Sequence, residues 1–216
     1  CRIVERRNGP SDTSRSATLH ARTMMMFEDM GIEYRFLANG IKSGGFVFNF
    51  KGLRDKPKLD FTKLPGRYPY ILVYNQCDTE AVLREHLEGT YDQQIEWRTE
   101  LVALTFEDGR PVAQLAPTGD ASSREEVRPQ FVVGADGIHS TVRNILDLPY
   151  EGDNYDGMVM QMMDVPLKEQ FPDGDDWVHY YMEKDSFLLV TKLPGQNYRI
   201  LISQFGKGNW NLLQKI

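Results

Sequence analysis

The sequence contains few of the residues that would place it in several common classes of protein. It has only two cysteines, Cys1 and Cys77, which are too few for a disulfide framework or a zinc-binding set. Its four histidines show no spacing typical of metal ligands. We therefore expect free thiols in a reducing compartment, by default the cytoplasm, and no metal site.

Long hydrophobic runs and an excess of positive charge are also missing. No stretch approaches the roughly 18 to 20 apolar residues that would span a bilayer, and residues 1–7 lack the apolar core of a signal peptide. The net charge is −6, which gives the surface no general attraction to nucleic acid or anionic lipid. We therefore expect no membrane span and no nucleic-acid partner.

The rest of the composition is typical of a folded protein, and the hydrophobic pattern changes period along the chain. Hydrophobic residues make up 41% and charged residues 26% of the 216 residues, enough for one large domain or two small ones. The pattern predicts elements in this order: a strand at 2–7, a helix at 19–30 capped by Gly31, β-ribbon within 36–74, a helix at 78–87 closed by Gly89, and a hairpin around Asp108-Gly109.

The second half of the chain is predicted to be mainly strand. Residues 129–134 form a short apolar run that predicts a central, buried strand. After Pro149, four further strand segments follow without an intervening helix, at 158–163, 177–182, 187–193 and 198–203. Such a series favours an antiparallel sheet.

Glu5 is the first candidate for a ligand contact. A carboxylate at the tip of the second strand of a nucleotide-binding βαβ unit can accept hydrogen bonds from both ribose hydroxyls of an adenosine. A glutamate at the end of a strand is also commonly a solvated surface residue. Glu5 and its neighbour Arg6 therefore need support from the rest of the chain.

A more specific pattern surrounds Asp136. It lies between Gly134 and Gly137, after the apolar run and before a helix that Ser140 can cap. The glycines allow the backbone to approach a polyphosphate ligand closely, and Asp136 offers an acceptor for sugar hydroxyls. The alternative is a plain strand-to-helix connection with an Asp-Gly turn.

The run from Val133 to Arg143, VGADGIHSTVR, resembles the Asp-Gly motif of single-component FAD-dependent aromatic hydroxylases, the p-hydroxybenzoate and phenol hydroxylase family. Residues 15–32 are similar to the loop and helix that follow the family's second strand. Tyr74-Asn75-Gln76 is similar to its flavin-contacting segment. The order and spacing of the three segments match as well.

The resemblance implies FAD as cofactor and a set of residues that contact it. Glu5 would bind the adenosine ribose, with Arg6 packing near the adenine, and Arg15 would reach the pyrophosphate or its surroundings. Gln76 would contact the flavin, and Asp136 would lie near the ribityl and pyrophosphate groups. The family motif at Asp136 is implicated in binding both FAD and NAD(P)H.

The resemblance also implies an α/β fold: an incomplete Rossmann-like FAD-binding domain and a substrate-binding domain with a mixed or antiparallel β-sheet. The first would comprise residues 1–35 and 75–149, and the second residues 36–74 and 150–216. NAD(P)H would reduce FAD, and a flavin hydroperoxide would hydroxylate a small phenolic or other aromatic substrate. Because relatives of this kind often dimerise, a homodimer is expected by analogy.

Two departures from the family pattern concern the ends of the chain. The Gly-rich first βα turn and the later Gly-Asp segment are both absent from the sequence. We therefore expect further chain on each side, required for function. The alternatives are a truncated, non-catalytic flavoprotein remnant, or a related flavoprotein reductase or epoxidase acting on an isoprenoid or polyketide. An NAD-linked dehydrogenase is disfavoured because no residue set for hydride transfer stands out.

Overall fold

The computed structural model describes residues 1–152, 157–167 and 174–205. The strands, in chain order, are β1 Ile3–Glu5, β2 Thr18–Leu19, β3 Ile41–Ser43, β4 Gly45–Phe50, β5 Lys58–Asp60, β6 Ile71–Val73, β7 Ile95–Trp97, β8 Thr99–Glu107, β9 Arg110–Pro117, β10 Glu125–Val127, β11 Met158–Pro166, β12 Val178–Glu183, β13 Ser186–Lys192 and β14 Asn197–Phe205. The helices are α1 Ala21–Asp29, α2 Glu33–Asn39, α3 Gln76–Tyr91 and α4 Thr141–Ile145, with a 3₁₀ turn at Phe61–Lys63. No helix in these ranges is both long and apolar enough to cross a membrane.

The chain divides into two compact units. The first unit comprises Cys1–Asp12 and Leu83–Asp153, and the second unit comprises Thr13–Val82 and Asn154–Ile216. The division into cofactor and substrate domains given above stays a prediction. Residues 153–156, 168–173 and 206–216 of that prediction lie outside the described residues.

The first unit contains two small sheets. Strands β1 and β7 pair in parallel, with Glu5 opposite Trp97, and β8, β9 and β10 form an antiparallel sheet. The turn between β8 and β9 has positive φ at both Asp108 (49°) and Gly109 (76°). Two left-handed residues in succession give the turn whose twist matches that of the flanking strands. The predicted hairpin is therefore confirmed.

The predicted central strand at residues 129–134 is wrong. These residues form no strand in the structure, and Phe131 and Val133 are 84% and 86% exposed. An apolar run becomes a buried strand only when a neighbouring strand pairs with it and another layer covers it. No described strand pairs with this run.

The second unit contains a six-stranded sheet in the order β11-β14-β13-β12-β4-β5. Strands β11 to β14 pair antiparallel, which confirms the four predicted strands and their sheet, whereas β4 pairs in parallel with β12. Side chains alternate between the two faces of a sheet. One face carries a buried apolar cluster of Leu188, Val190, Tyr198, Ile200 and Ile202.

A second, smaller sheet of this unit has β6 at its centre. Strand β6 pairs antiparallel with β2 on one side and β3 on the other. Its residues Ile71, Leu72 and Val73 are at most 1% exposed. Ala17, Val73 and Leu193 form a buried cluster that joins this sheet to the end of β13. The small sheet is thus a fixed platform for the segment that follows β6.

Four predicted element boundaries are wrong in this part of the chain. Leu19 belongs to β2 because it pairs with Leu72, so the helix begins later, at Ala21. Phe36 belongs to α2 rather than to β-ribbon, and its ring stacks on Phe27 at 4.2 Å. Helix α3 begins at Gln76 instead of Asp78 and continues through Gly89 to Tyr91. A glycine inside a helix costs about 1 kcal/mol, which does not by itself end the helix.

Candidate cofactor site

The structure brings together Arg15 and Gln76, two of the predicted site residues, in the second unit. The carboxyl end of β6 leads into Tyr74, whose N–H donates to the Ala17 carbonyl at 2.9 Å. Two residues further along each segment, the Arg15 N–H donates to Gln76 Oε1 at 3.1 Å. Loop 14–17 therefore runs beside residues 74–76, held by contacts between residues far apart in sequence.

Ser14 fixes the start of α3. Its Oγ accepts the N–H of Gln76 at 2.9 Å and donates to the Ser16 carbonyl at 2.8 Å. The first N–H groups of a helix have no partner within the helix, and a serine oxygen from another segment can satisfy one of them. This contact explains why α3 begins at Gln76, before the predicted cap at Asp78.

The side chains of Gln76 and Arg15 differ in how many hydrogen bonds they make within the protein. Gln76 uses both ends of its amide, because Nε2 also donates to Glu80 at 2.9 Å. The Arg15 side chain is exposed, and its guanidinium makes no hydrogen bond or ion pair to the described part of the chain. Arg15 is thus available to an anionic ligand, whereas Gln76 is held in place by its neighbours.

Asn75 has an acceptor atom without a partner. Its Nδ2 donates to Asp78 at 3.0 Å, but its buried Oδ1 has no hydrogen-bond partner in the described residues. A buried polar atom without a partner costs free energy unless a ligand or water satisfies it. With Arg15, this atom gives the site a cation and an acceptor that fit a phosphate-bearing ligand with N–H or O–H donors.

Glu5 and Arg6 lie at the end of β1 in the first unit. The Glu5 carboxylate accepts the Arg7 N–H at 2.9 Å and pairs with the Arg7 guanidinium at 3.4 Å. The Arg6 carbonyl accepts from Thr118 Oγ1 at 2.9 Å, and its exposed guanidinium has no hydrogen bond or ion pair within the described ranges. Glu5 keeps acceptor capacity for a ribose, since a carboxylate can accept about four hydrogen bonds.

Asp136 lies at the start of α4. Its carboxylate accepts from the backbone N–H groups of Thr141 (2.6 Å) and Val142 (3.1 Å) and from Ser140 Oγ. Burial alone would raise the pKa of the Asp136 carboxyl, but the hydrogen bonds from Ser140, Val142 and Thr141 hold that pKa below its ordinary value. The carboxylate is therefore ionised near neutral pH and is fixed by the helix that follows it.

The predicted residues thus form local groups rather than one demonstrated cluster. Arg15 meets Gln76, but no hydrogen bond or ion pair among the described residues joins Asp136 to Glu5 or Arg6. Convergence of all five residues on one ligand stays a prediction. Sequence reasoning missed Ser14, Asn75 and Arg199, whose Nη2 donates to the Ser14 carbonyl at 2.9 Å. Asn75 lies inside the recognised segment and could have been found there, whereas no signal in a single sequence pairs Ser14 with its partners.

Aromatic rings occupy one face of the large sheet in the second unit. Phe46 and Phe48 of β4 contact Tyr180 of β12, with ring centroids 5.8 and 5.3 Å apart, and Tyr180 contacts Phe187 at 5.7 Å. Burial raises the pKa of the Tyr180 hydroxyl. By the strand register, this face is opposite the buried apolar cluster and also carries Met160 and Met162, which are 55% and 37% exposed.

Residues 1–211 match the family model described as an FAD binding domain. The chain belongs to the FAD-dependent aromatic hydroxylase family. It is 45% identical over 215 residues to pentachlorophenol 4-monooxygenase of Sphingobium chlorophenolicum. The predicted family is thereby confirmed.

Other relatives and solved structures agree with this assignment. 6-Methylpretetramide 4-monooxygenase of Streptomyces rimosus is 36% identical over 154 residues, or 70% of the chain. The structure of p-nitrophenol 4-monooxygenase from Pseudomonas putida DLL-E4 covers 99% of the chain with a TM-score of 0.80 at 16% identity. That likeness confirms the predicted fold class, a Rossmann-like FAD-binding fold with a mixed sheet.

The chain spans only part of each of these proteins. It covers 39% of pentachlorophenol 4-monooxygenase, 27% of 6-methylpretetramide 4-monooxygenase and 53% of the p-nitrophenol 4-monooxygenase chain. FAD binding is the property that the matched family model describes. The exposed Arg15 cation and the unpaired Asn75 oxygen fit such a cofactor, because FAD carries a pyrophosphate and hydrogen-bond donors.

Proposed function

We propose that the protein containing this chain is an FAD-dependent monooxygenase that uses NAD(P)H and O₂ to hydroxylate a phenolic ring. The observation that carries this proposal is the 45% identity to pentachlorophenol 4-monooxygenase over 100% of the chain. The substrate class that we assign is a substituted phenol.

The residues proposed to hold FAD belong to the second unit (Arg15 and Asn75) and to the first unit (Glu5, Arg6 and Asp136). The Arg15 guanidinium would neutralise phosphate charge, and Asn75 Oδ1 would accept a hydrogen bond that the protein leaves open. Glu5, Arg6 and Asp136 are the proposed contacts to the sugar and adenine portions. When bound, FAD supplies electron transfer from NAD(P)H and the activation of O₂.

The aromatic face of the large sheet is the proposed binding surface for the substrate ring. Phe46, Phe48 and Tyr180 offer half-buried ring faces and edges on which a phenol can stack. A tyrosine hydroxyl is protonated near neutral pH, and the raised pKa of Tyr180 moves it further from ionisation, so this hydroxyl can donate a hydrogen bond to a phenolate oxygen. Such a donor would favour the electron-rich phenolate form, and the apolar surroundings would exclude water.

A second candidate substrate class is a polycyclic aromatic polyketide. The observation that favours it is the 36% identity to 6-methylpretetramide 4-monooxygenase over 70% of the chain. The exposed methionines Met160 and Met162 would suit it, since flexible thioether side chains adapt to large aromatic ligands.

The test uses the full-length protein purified with its bound cofactor. We expect the visible absorption of a flavin, and NAD(P)H oxidation that is stimulated by pentachlorophenol or phenol and yields a hydroxylated product. Product formation from a polycyclic polyketide alone would favour the second candidate. A colourless protein that does not take up added FAD would contradict the proposal and favour the non-catalytic remnant.

Substitution of Arg15 tests the cofactor assignment within the same protein. Arg15→Met should weaken FAD binding by roughly 10- to 100-fold, because a charge-assisted hydrogen bond to phosphate contributes about 1.5 to 3 kcal/mol. The matched control is Arg22→Met, which removes an exposed arginine on α1. Fluorescence titration of the apoprotein with FAD measures both, and equal affinities would exclude Arg15 as a phosphate contact.

A further inference from the structure

Arg199 of β14 is a buried cation that is not among the proposed contacts to FAD or to the substrate. Its side chain is 4% exposed, and it forms a two-bond ion pair with Asp164 of β11, in which Nε and Nη2 each donate to a carboxylate oxygen at 2.8 Å. Asp164 lies opposite Arg199 in the strand register. The ion pair balances the charge of this buried arginine, whereas Nη1 is buried without a hydrogen-bond partner among the described residues.

The same guanidinium also reaches the cofactor loop. Arg199 Nη2 donates to the backbone carbonyl of Ser14 at 2.9 Å, across 185 residues of sequence. Ser14 in turn accepts the Gln76 N–H through its own Oγ. One guanidinium therefore ties the large sheet to the residue that fixes the start of α3.

The register of the large sheet places this link on the aromatic face. Arg199 is paired with Thr191 of β13, and Leu201, two residues along β14, is paired with Leu189, which lies opposite Tyr180. Residues two apart along a strand, and residues paired across strands, share a face. Arg199 and Tyr180 therefore project from the same side of the sheet.

We propose that Arg199 is a positioning residue: with Asp164, it holds Ser14 so that Arg15 and Gln76 keep the geometry that binds FAD. The pair would thereby couple the sheet that receives the aromatic substrate to the loop that receives the cofactor. This inference rests on the proposed function. Its physical basis is the planar fork of arginine, which can bond a carboxylate with two nitrogens and a carbonyl with one of them.

Arg199→Lys is the variant that tests the link. Lysine keeps the positive charge, but its single ammonium does not reproduce the fork, so we expect the Ser14 contact to weaken. The matched control is Tyr198→Phe on the same strand. Tyr198 is also 4% exposed and donates its hydroxyl to Asp175 at 2.9 Å, on the opposite face of the sheet. Both substitutions weaken hydrogen bonding to a carboxylate. Arg199 also donates to the Ser14 carbonyl, and that second contact is what the comparison isolates.

The first readout is amide hydrogen exchange of the full-length protein after FAD has been removed. In Arg199→Lys, the Arg15 and Gln76 amides should exchange about tenfold faster than in the wild type, because the Arg15 N–H itself lies on the released loop and the Gln76 N–H donates to Ser14 of that loop. In Tyr198→Phe they should exchange as in the wild type. Equal exchange in all three proteins would overturn the proposal, whether or not the protein is a monooxygenase.

The second readout is the affinity for FAD, measured by fluorescence titration. We expect Arg199→Lys to bind FAD roughly tenfold more weakly and Tyr198→Phe to bind it normally. Unchanged FAD affinity with a higher KM for the phenol would make Arg199 a substrate contact and overturn the positioning role. If no protein in the series binds FAD, the proposed function fails, while the exchange data still decide whether Arg199 holds the loop.

Asp164→Asn provides an independent variant should Arg199→Lys fail to fold. Asp164 is 34% exposed at its side chain, so its substitution is milder than that of the buried arginine. We expect the same two amides to exchange faster, by a smaller factor, because the arginine loses its charged partner but stays in place. A change confined to β11 and β14, without any effect at Arg15 and Gln76, would contradict the coupling.

Discussion

The loop around Asp136 in the first unit and the loop around Arg15 in the second unit each carry a predicted FAD contact. The hydrogen bonds that hold the two loops differ in how far apart their partners lie in the sequence. Asp136 is held by Ser140, Thr141 and Val142, four to six residues away. Arg15 is held by Gln76, which is 61 residues away. One loop is therefore a local motif, and the other is a product of the tertiary fold.

This difference explains how the two loops respond to their surroundings. The Asp136 loop keeps its capped helix even though the preceding apolar run is exposed, because its hydrogen bonds need no neighbouring strand. The Arg15 loop depends on the buried strand β6 and on Ser14. Variants that disturb local or distant contacts should therefore affect the two loops unequally.

The largest expected effect is that of Ile71→Ala in β6. Ile71 is fully buried in β6, the strand that leads to Gln76, and truncating a buried isoleucine costs about 2 to 5 kcal/mol of unfolding free energy. The control is Ile138→Ala on the Asp136 loop, where the side chain is 65% exposed and the change should stay within about 0.5 kcal/mol. Urea unfolding measures both, and similar losses would remove the distinction between the loops.

A smaller loss is expected for Asp136→Ala. The carboxylate satisfies two N–H groups at the start of α4, and losing such a cap costs about 1 kcal/mol. Ser123→Ala, an exposed loop serine of the same unit, provides the control. Faster amide exchange at Thr141 and Val142, with Arg15 and Gln76 unchanged, would show that the loop is held locally. Faster exchange at all four sites would argue against it.

The pH dependence of the Asp136 contribution should be modest and has a definite sign. Because the folded-state pKa is depressed, the contribution is fully present above the unfolded pKa, roughly pH 4, and is lost as the pH falls through the folded pKa. The difference in unfolding free energy between the wild type and Asp136→Ala should therefore shrink below about pH 4. A constant difference from pH 6 to pH 3 would contradict this account.

The smallest effect is expected for Arg2→Met, which removes an exposed ion-pair network of the first unit. Arg2 pairs with Glu96 at 2.6 Å and Glu125 at 2.7 Å, and these hydrogen bonds lower the pKa of both carboxyls. Exposed pairs contribute little and are screened by salt. We expect a smaller loss than for Asp136→Ala, disappearing at high ionic strength. A loss that persists in 1 M salt would show a role in packing.

The sequence by itself determined the features that depend on near neighbours. The Asp108-Gly109 hairpin, the four strands from β11 to β14 and the capped turn at Asp136 follow from residue type and spacing within short windows. The family resemblance also rested on such windows, and the comparisons bore it out. Local conformational preferences and side-chain alternation are properties of the chain itself.

Only the tertiary structure decided which distant residues meet. It paired β2 with β6, began α3 at Gln76, left Phe131 and Val133 exposed, and joined Arg199 to Ser14. Each outcome depends on a partner that is remote in sequence, and a strand or a buried charge is stable only where that partner is supplied. A single sequence contains the groups that can form these contacts, but the packing of the sheets selects among them.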